Sequence, residues 1–279
     1  MRKPNLTLLY VPGDRPDLAE KALKSEANGI ILDLEDAVAP DHKAQARAQV
    51  KEIACEIVAS KSLQVRINAP TTPWGSADVE MVSALPVEVG MRLPKAEDVD
   101  ELAEMIRRGE GRRVHLLIES ALGIERAFDL ARVHGVGSIG LGEADLRADL
   151  GLTSPDGLVW ARSRLVNAAR AAGLPSPLMA AFTNVKDEAA LAESCRKARA
   201  IGFLGGVAIH PRQLPIIRQA FRPSAVELAL AQEIVERSRS ATGAGVGALQ
   251  LEDGSFLDKA VVRNAKYLMA LEEAASAID

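Results

Sequence analysis

Cysteine is scarce in this chain. Of 279 residues only Cys55 and Cys195 are cysteines, both in segments of helical periodicity and without CxxC or Cys/His spacing. A disulfide scaffold and a thiolate zinc site are thereby excluded. Long apolar runs are missing too. No segment approaches the roughly 20 apolar residues of a membrane-spanning helix, and the first run, Leu6–Val11, is too short for the core of a signal peptide. Charge of one sign is not in excess either: the formal net charge is −4, with acids and bases interspersed, so nothing in it attracts nucleic acid or an anionic membrane. Low-complexity tracts, a P-loop, a GxGxxG turn and a nucleophile elbow are absent, and His42, His115, His134 and His210 show no zinc spacing. The expectation is a cytoplasmic, disulfide-free protein with neither nucleic-acid nor membrane partners.

What is present is a repeated element type. Eight short apolar runs alternate with amphipathic segments: Leu6–Val11, Gly29–Leu34, Leu63–Ile67, Val89–Leu93, Val114–Ile118, Ser138–Leu141, Leu178–Ala181 and Gly206–Ile209. Runs that are apolar throughout, rather than alternating, suit parallel strands buried on both faces. Eight of them predict an α/β fold, a (β/α)8 TIM barrel, since an open doubly wound sheet would more naturally stop at five to seven strands. Residues 1–221 are expected to form the catalytic barrel and residues 222–279 a C-terminal helical extension serving as lid or oligomerisation segment.

Between the strands, Pro40–Ser60 and Leu122–Val133 read as helices. Ser154-Pro155-Asp156 reads as the capped start of another that runs to Gly173. After His210-Pro211 come a helix to Ala220 and a long helix from Pro223-Ser224 to about Ser240. A glycine-rich break, Thr242–Gly247, follows, then a strand-like piece at Ala248–Leu251, a turn at Asp253-Gly254 and a last helix through Ala275.

Acids gather where barrel active sites form, at the C-terminal ends of strands. Ile30-Ile31-Leu32-Asp33-Leu34-Glu35-Asp36 is the densest cluster, with Asp33 and Glu35 on one side of an extended chain. Arg66, between apolar neighbours in Val65-Arg66-Ile67-Asn68, needs a partner for its charge. Glu35 and Asp36 are the candidates, and the guanidinium either serves that ion pair alone or also presents its fork to a carboxylate or enolate. Lys95 is either a second cation in the barrel mouth or a lysine at a helix start. Glu119 and Asp145 stand 26 residues apart, one βαβ step, each just beyond an apolar run. Two carboxylates on neighbouring strand tops suffice for magnesium, which keeps waters that substrate oxygens can replace. Gly140 and Gly142 let backbone N–H groups approach an anion there. His115 reads as a satisfied barrel residue, and Arg15, Lys21 and Lys24 as either phosphate ligands or solvated charges.

These residues, in order, resemble a family. Tyr10-Val11-Pro12-Gly13-Asp14-Arg15-Pro16, Leu32-Asp33-Leu34-Glu35-Asp36-Ala37-Val38, Val65-Arg66-Ile67-Asn68, Leu93-Pro94-Lys95, Leu117-Ile118-Glu119-Ser120-Ala121, Gly142-Glu143-Ala144-Asp145-Leu146 and Ile209-His210-Pro211-Arg212-Gln213-Leu214 are similar to the landmarks of the citrate lyase β-subunit group with the malyl-CoA and citramalyl-CoA lyases. That group belongs to the HpcH/HpaI aldolase superfamily.

The resemblance implies that Glu119 and Asp145 bind Mg²⁺, with Mn²⁺ as a substitute. It further implies that Arg66 contacts the oxo acid beside Gly142, Glu143 and Ala144, and that Glu35 and Asp36 support the metal waters and the arginine. It implies a C–C lyase that splits a β-hydroxyacyl-CoA of citramalyl, malyl or citryl type into a 2-oxo acid and acetyl-CoA. A homotrimer or another homo-oligomer is implied as well, with Asp258 in Gly254-Ser255-Phe256-Leu257-Asp258 reaching a neighbouring subunit's site. Phe256 stands where the family has Met, Gly205-Gly206-Val207 replaces the usual Gly-Lys, and Met179-Ala180-Ala181-Phe182 lacks the usual acid; these departures bear on acyl-CoA recognition. The rival readings are a citrate lyase β-subunit acting on a carrier-borne thioester, an aldolase of free hydroxy acids, and a non-catalytic subunit.

Overall fold

Every one of the eight apolar runs supplies a parallel strand in the computed structural model, which describes residues 5–244, 249–250 and 256–276. The strands are β1 (Thr7–Pro12), β2 (Gly29–Asp33), β3 (Ser62–Arg66), β4 (Gly90–Leu93), β5 (Val114–Ile118), β6 (Val136–Leu141), β7 (Leu178–Met179) and β8 (Gly205–Ala208). Their order is β6-β5-β4-β3-β2-β1-β8-β7, with β1 to β6 each hydrogen-bonded to the next, β7 to β8, and β8 to β1. β7 lies against β6 without a ladder joining them, so the TIM barrel is closed but for this one seam. β7 is short because Pro175 and Pro177 precede it and remove ladder donors.

Burial explains the strand sequences. Ile30, Ile31 and Leu32 are all fully buried although they alternate between faces; one face meets the barrel interior and the other the surrounding helices. Each such side chain contributes about 1.5–3 kcal/mol.

The surrounding helices are α1 (Pro16–Leu23), α2 (Lys43–Ser60), α3 (Gly75–Ser83), α4 (Val99–Arg108), α5 (Ala121–Glu125), α6 (Ala127–Ala131), α7 (Glu143–Asp149), α8 (Val159–Ala171), α9 (Glu188–Ala200) and α10 (Gln213–Phe221). α4 shows the local logic: Asp98 accepts the Asp100 and Glu101 N–H groups at 2.9 and 3.0 Å, and Leu102 and Met105 turn inward. The helix expected over Leu122–Val133 is instead two short ones. The chain turns at Arg126, whose guanidinium donates to the Glu97 carbonyl at 3.0 Å, and Gly123 weakens the helix before it. Pro40 and Pro155 each open a 3₁₀ turn that leads into α2 or α8.

The chain divides into two compact units, one spanning Asn5–Ala220 and the other beginning at Phe221. In the second, α11 (Ala225–Ala244) packs Ala231, Ile234 and Val235 against Ala265 of α12 (Lys259–Ser276). Arg222 binds Glu272 through Nε and Nη2. α11 continues past Ser240 into Thr242-Gly243-Ala244, and β9 (Leu249–Gln250) pairs antiparallel with β10 (Phe256–Leu257). Gly245–Gly247 and the expected turn at Asp253-Gly254 lie outside the described residues.

Candidate active site

One row of the ladder organises the barrel interior. Asp33, Arg66, Arg92, His115 and Ser138 are register partners across β2, β3, β4, β5 and β6, so they share a face. On the other side of the interior, Leu8, Ile31 and Val207 form an apolar cluster with Tyr10 and Leu178. The Tyr10 ring bridges the two halves: the Arg66 and Arg92 guanidinium carbons lie 5.0 and 5.9 Å from its centroid, within cation–π range.

Arg66, at the end of β3, is gripped by three acids. Asp33 accepts from its Nε at 2.7 Å and its Nη2 at 2.5 Å. Nη1 lies 3.0 Å from Glu35 and 3.1 Å from Asp36. Burial works against the guanidinium charge, but the Asp33 bond and charge override it and raise the Arg66 pKa. Asp33 also accepts the Glu35 and Ala37 N–H groups, folding the chain after β2 so that all three acids face one arginine. Lys43, at the start of α2, fixes that fold from beneath by donating to the Leu34 and Glu35 carbonyls at 2.7 and 2.6 Å. Asn68 donates to the Leu34 carbonyl at 2.8 Å.

Glu119 follows β5 directly and is 6 % exposed. Lys95 donates its N–H to Glu119 Oε2 at 2.9 Å, from a backbone held at φ +53°, a left-handed conformation that costs a lysine free energy and is favoured at functional sites. The Lys95 Nζ lies 3.8 Å from Glu35. Asp145 is exposed in the first turn of α7. A Cβ on residue 142 would fall on the Glu119 carboxylate, so the glycine is what gives that side chain its place. Glu143 turns away: Arg162 of α8 holds its carboxylate at 2.7 and 2.6 Å. What Gly142, Glu143 and Ala144 present to a ligand is backbone, and no side chain caps the α7 N-terminus. Asp258 lies in the second unit, exposed, accepting the Ala260 and Val261 N–H groups at the head of α12.

Burial, opposed by Arg66 and reinforced by Asp36 and Glu119, pushes the Glu35 carboxyl up to about 8. Burial, with the nearby Asp145, raises Glu119 as well. Asp33, Glu35, Asp36, Glu119 and Asp145 are grouped with fewer cations than acids, a donor set that suits a divalent cation. Among the described residues no three His, Cys, Asp or Glu side chains form a cage. Two carboxylates with open positions fit magnesium, which keeps waters or ligand oxygens.

Glu35, Asp36, Arg66, Glu119, Asp145 and Gly142–Ala144 thus come together in the barrel unit, as the strand-end pattern leads one to expect. Asp33 is the unexpected principal partner of Arg66; its alternation with Glu35 was the available signal. Arg92, between Met91 and Leu93 in an apolar run, carries the same sequence signal as Arg66, whereas Lys43 carries none.

Comparison with known proteins identifies the family. The model of the HpcH/HpaI aldolase/citrate lyase family fits residues 6–211. Citrate lyase subunit beta of Leuconostoc mesenteroides subsp. cremoris is 32% identical over 289 residues, covering 98% of this chain and 95% of its own. L-malyl-CoA/beta-methylmalyl-CoA lyase of Cereibacter sphaeroides is 33% identical over 312 residues, covering 99% and 96%. CitE of Mycobacterium tuberculosis, solved in complex with magnesium, acetoacetate and coenzyme A, superposes with a TM-score of 0.83 at 32% identity over 98% of this chain and 100% of that one. The chain belongs to the HpcH/HpaI aldolase/citrate lyase family, whose named relatives include carbon–carbon lyases.

Proposed function

We propose that the protein is a Mg²⁺-dependent lyase that splits a β-hydroxyacyl-CoA thioester, of citramalyl, malyl or citryl type, into a 2-oxo acid and acetyl-CoA, or runs the reverse condensation. The observation that carries this reading is Arg66, fixed by Asp33, Glu35 and Asp36 in the same barrel unit as Glu119 and Asp145.

Glu119 and Asp145 would hold the metal, Mn²⁺ being a substitute, and it would supply Lewis acidity toward the oxo acid. Arg66 meets the negative charge that develops on the carbonyl oxygen, from a fork already oriented by Asp33. The backbone N–H groups of Glu143 and Ala144, beside the bare Gly142, receive the carboxylate. Glu35 and Asp36 keep Arg66 in place and accept from waters in the site. Asp258, delivered by a neighbouring subunit of a homotrimer or another homo-oligomer, exchanges the proton at the acetyl carbon.

The test is a panel of citramalyl-, malyl- and citryl-CoA beside the free hydroxy acids and a carrier-borne citryl thioester, assayed with magnesium for the wild type, Glu119→Ala and Asp145→Ala. A CoA thioester is expected to be cleaved by the wild type, and each variant to lose on the order of 10³-fold in kcat/KM. Retained activity in either variant removes the metal assignment, and turnover confined to the free acids or to the carrier thioester removes the acyl-CoA one.

A further inference from the structure

Arg92 is the one member of the interior row whose charge the protein leaves uncompensated. It is 6 % exposed, and among the described residues its one hydrogen bond runs from Nη1 to Gln64 Oε1 at 2.9 Å. Its Nε is fully buried with no partner. No carboxylate among the described residues pairs with it, whereas Arg66, over the same Tyr10 ring, has three. Its row neighbours, Arg66 and His115, bring no negative charge. The half-buried His115 side chain, whose Nδ1 is bonded to Ser138 at 2.8 Å, is held down to about 3 by desolvation of its ring and then by the Arg92 charge. A buried guanidinium with most of its donors free is a site for an anion.

Its position identifies which anion. Nη2 lies against Gly140, 3.2 Å from where a Cβ would stand. Two residues further along the same chain is Gly142, which makes room for Glu119. Two residues of strand span about 6.6 Å, so the guanidinium lies one such step below the Glu119 carboxylate, deeper in the barrel. That is the length scale of a four-carbon diacid whose oxo end lies at the rim.

We propose that Arg92 is a specificity residue that binds the second carboxylate of a dicarboxylic 2-oxo acid, selecting such an acid over a monocarboxylic one. The proposal rests on the lyase reading above and narrows its substrate class to thioesters whose oxo-acid half carries two carboxylates.

Calorimetric titration of the full chain with oxaloacetate and with pyruvate, each at saturating magnesium, tests it without turnover. Wild type is expected to bind oxaloacetate at least about 30-fold more tightly, the scale of one charge-assisted bidentate contact. Arg92→Met should abolish that preference while leaving pyruvate affinity within about 3-fold, and Arg92→Lys should restore part of it. A wild-type ratio near one overturns the proposal without recourse to any variant, as does a preference that survives in Arg92→Met. If neither acid binds with magnesium, the lyase reading fails first and this one with it.

Discussion

Arg66 and Arg112 stand at opposite ends of the barrel strands, and both are withdrawn from water. Arg112, just before β5, is 2 % exposed and forms no ion pair with an acid among the described residues. Its guanidinium donates to five carbonyls, those of Gly109, Pro86, Val89, Ser83 and Leu85, at 2.9 to 3.3 Å. Burial lowers its pKa, with only partial opposition from Glu110. Arg66 closes β3 at the other end, gripped by three carboxylates that raise its pKa. One end of the barrel neutralises a cation with neutral dipoles and ties down the loops around β4 and β5. The other sets three carboxyls around one cation, an acid-rich setting that suits a metal ion. Stability and chemistry are thus separated along the strands, as the barrel architecture allows.

Variants of the two arginines sharpen that separation. Arg66→Lys keeps the charge but loses the fork, and a fall of about 100-fold in kcat/KM is expected with little change in the urea midpoint. Arg112→Met strips the donors from five buried carbonyls. It should cost about 3 kcal/mol of unfolding free energy in urea titrations while the folded protein keeps its activity. An Arg112 variant that is stable but inactive would erase the contrast.

A smaller effect is expected midway along the strands, at His115. Its folded-state pKa of about 3 lies below the ordinary 6.5, so the native imidazole stays neutral while the unfolded one takes up a proton. The stabilisation is present above about pH 6.5 and is lost as pH falls towards 3. Between pH 7 and 5 it amounts to about 2 kcal/mol. Urea melts of wild type and His115→Gln at the two pH values should diverge by that amount, wild type losing more; parallel losses would show that His115 is not held neutral.

The strands were legible because a parallel barrel strand must be apolar on both faces, and Ile30-Ile31-Leu32 or Leu116-Leu117-Ile118 can hardly be read otherwise. The acids were legible because Glu35, Glu119 and Asp145 sit where an apolar run stops. The supporting bonds were not. Lys43 reaches back to carbonyls eight and nine residues earlier, and Arg112 reaches carbonyls more than 20 residues away. Both contacts exist only once the chain has closed. The helix read over Leu122–Val133 is interrupted at Arg126, where the side chain bonds to the Glu97 carbonyl, a tertiary contact that periodicity does not reveal. Glu143, one residue past Gly142, is drawn aside by Arg162 from the next helix, a partner that strand-end spacing does not reveal.

The most direct test is product analysis of the purified protein acting on citryl-, malyl- and citramalyl-CoA, before and after magnesium is removed by chelation and then restored. The expected result is acetyl-CoA and a 2-oxo acid in equal amounts from at least one thioester, lost on chelation and recovered with magnesium. Cleavage that persists without the metal, or no acetyl-CoA from any of the three, would contradict it.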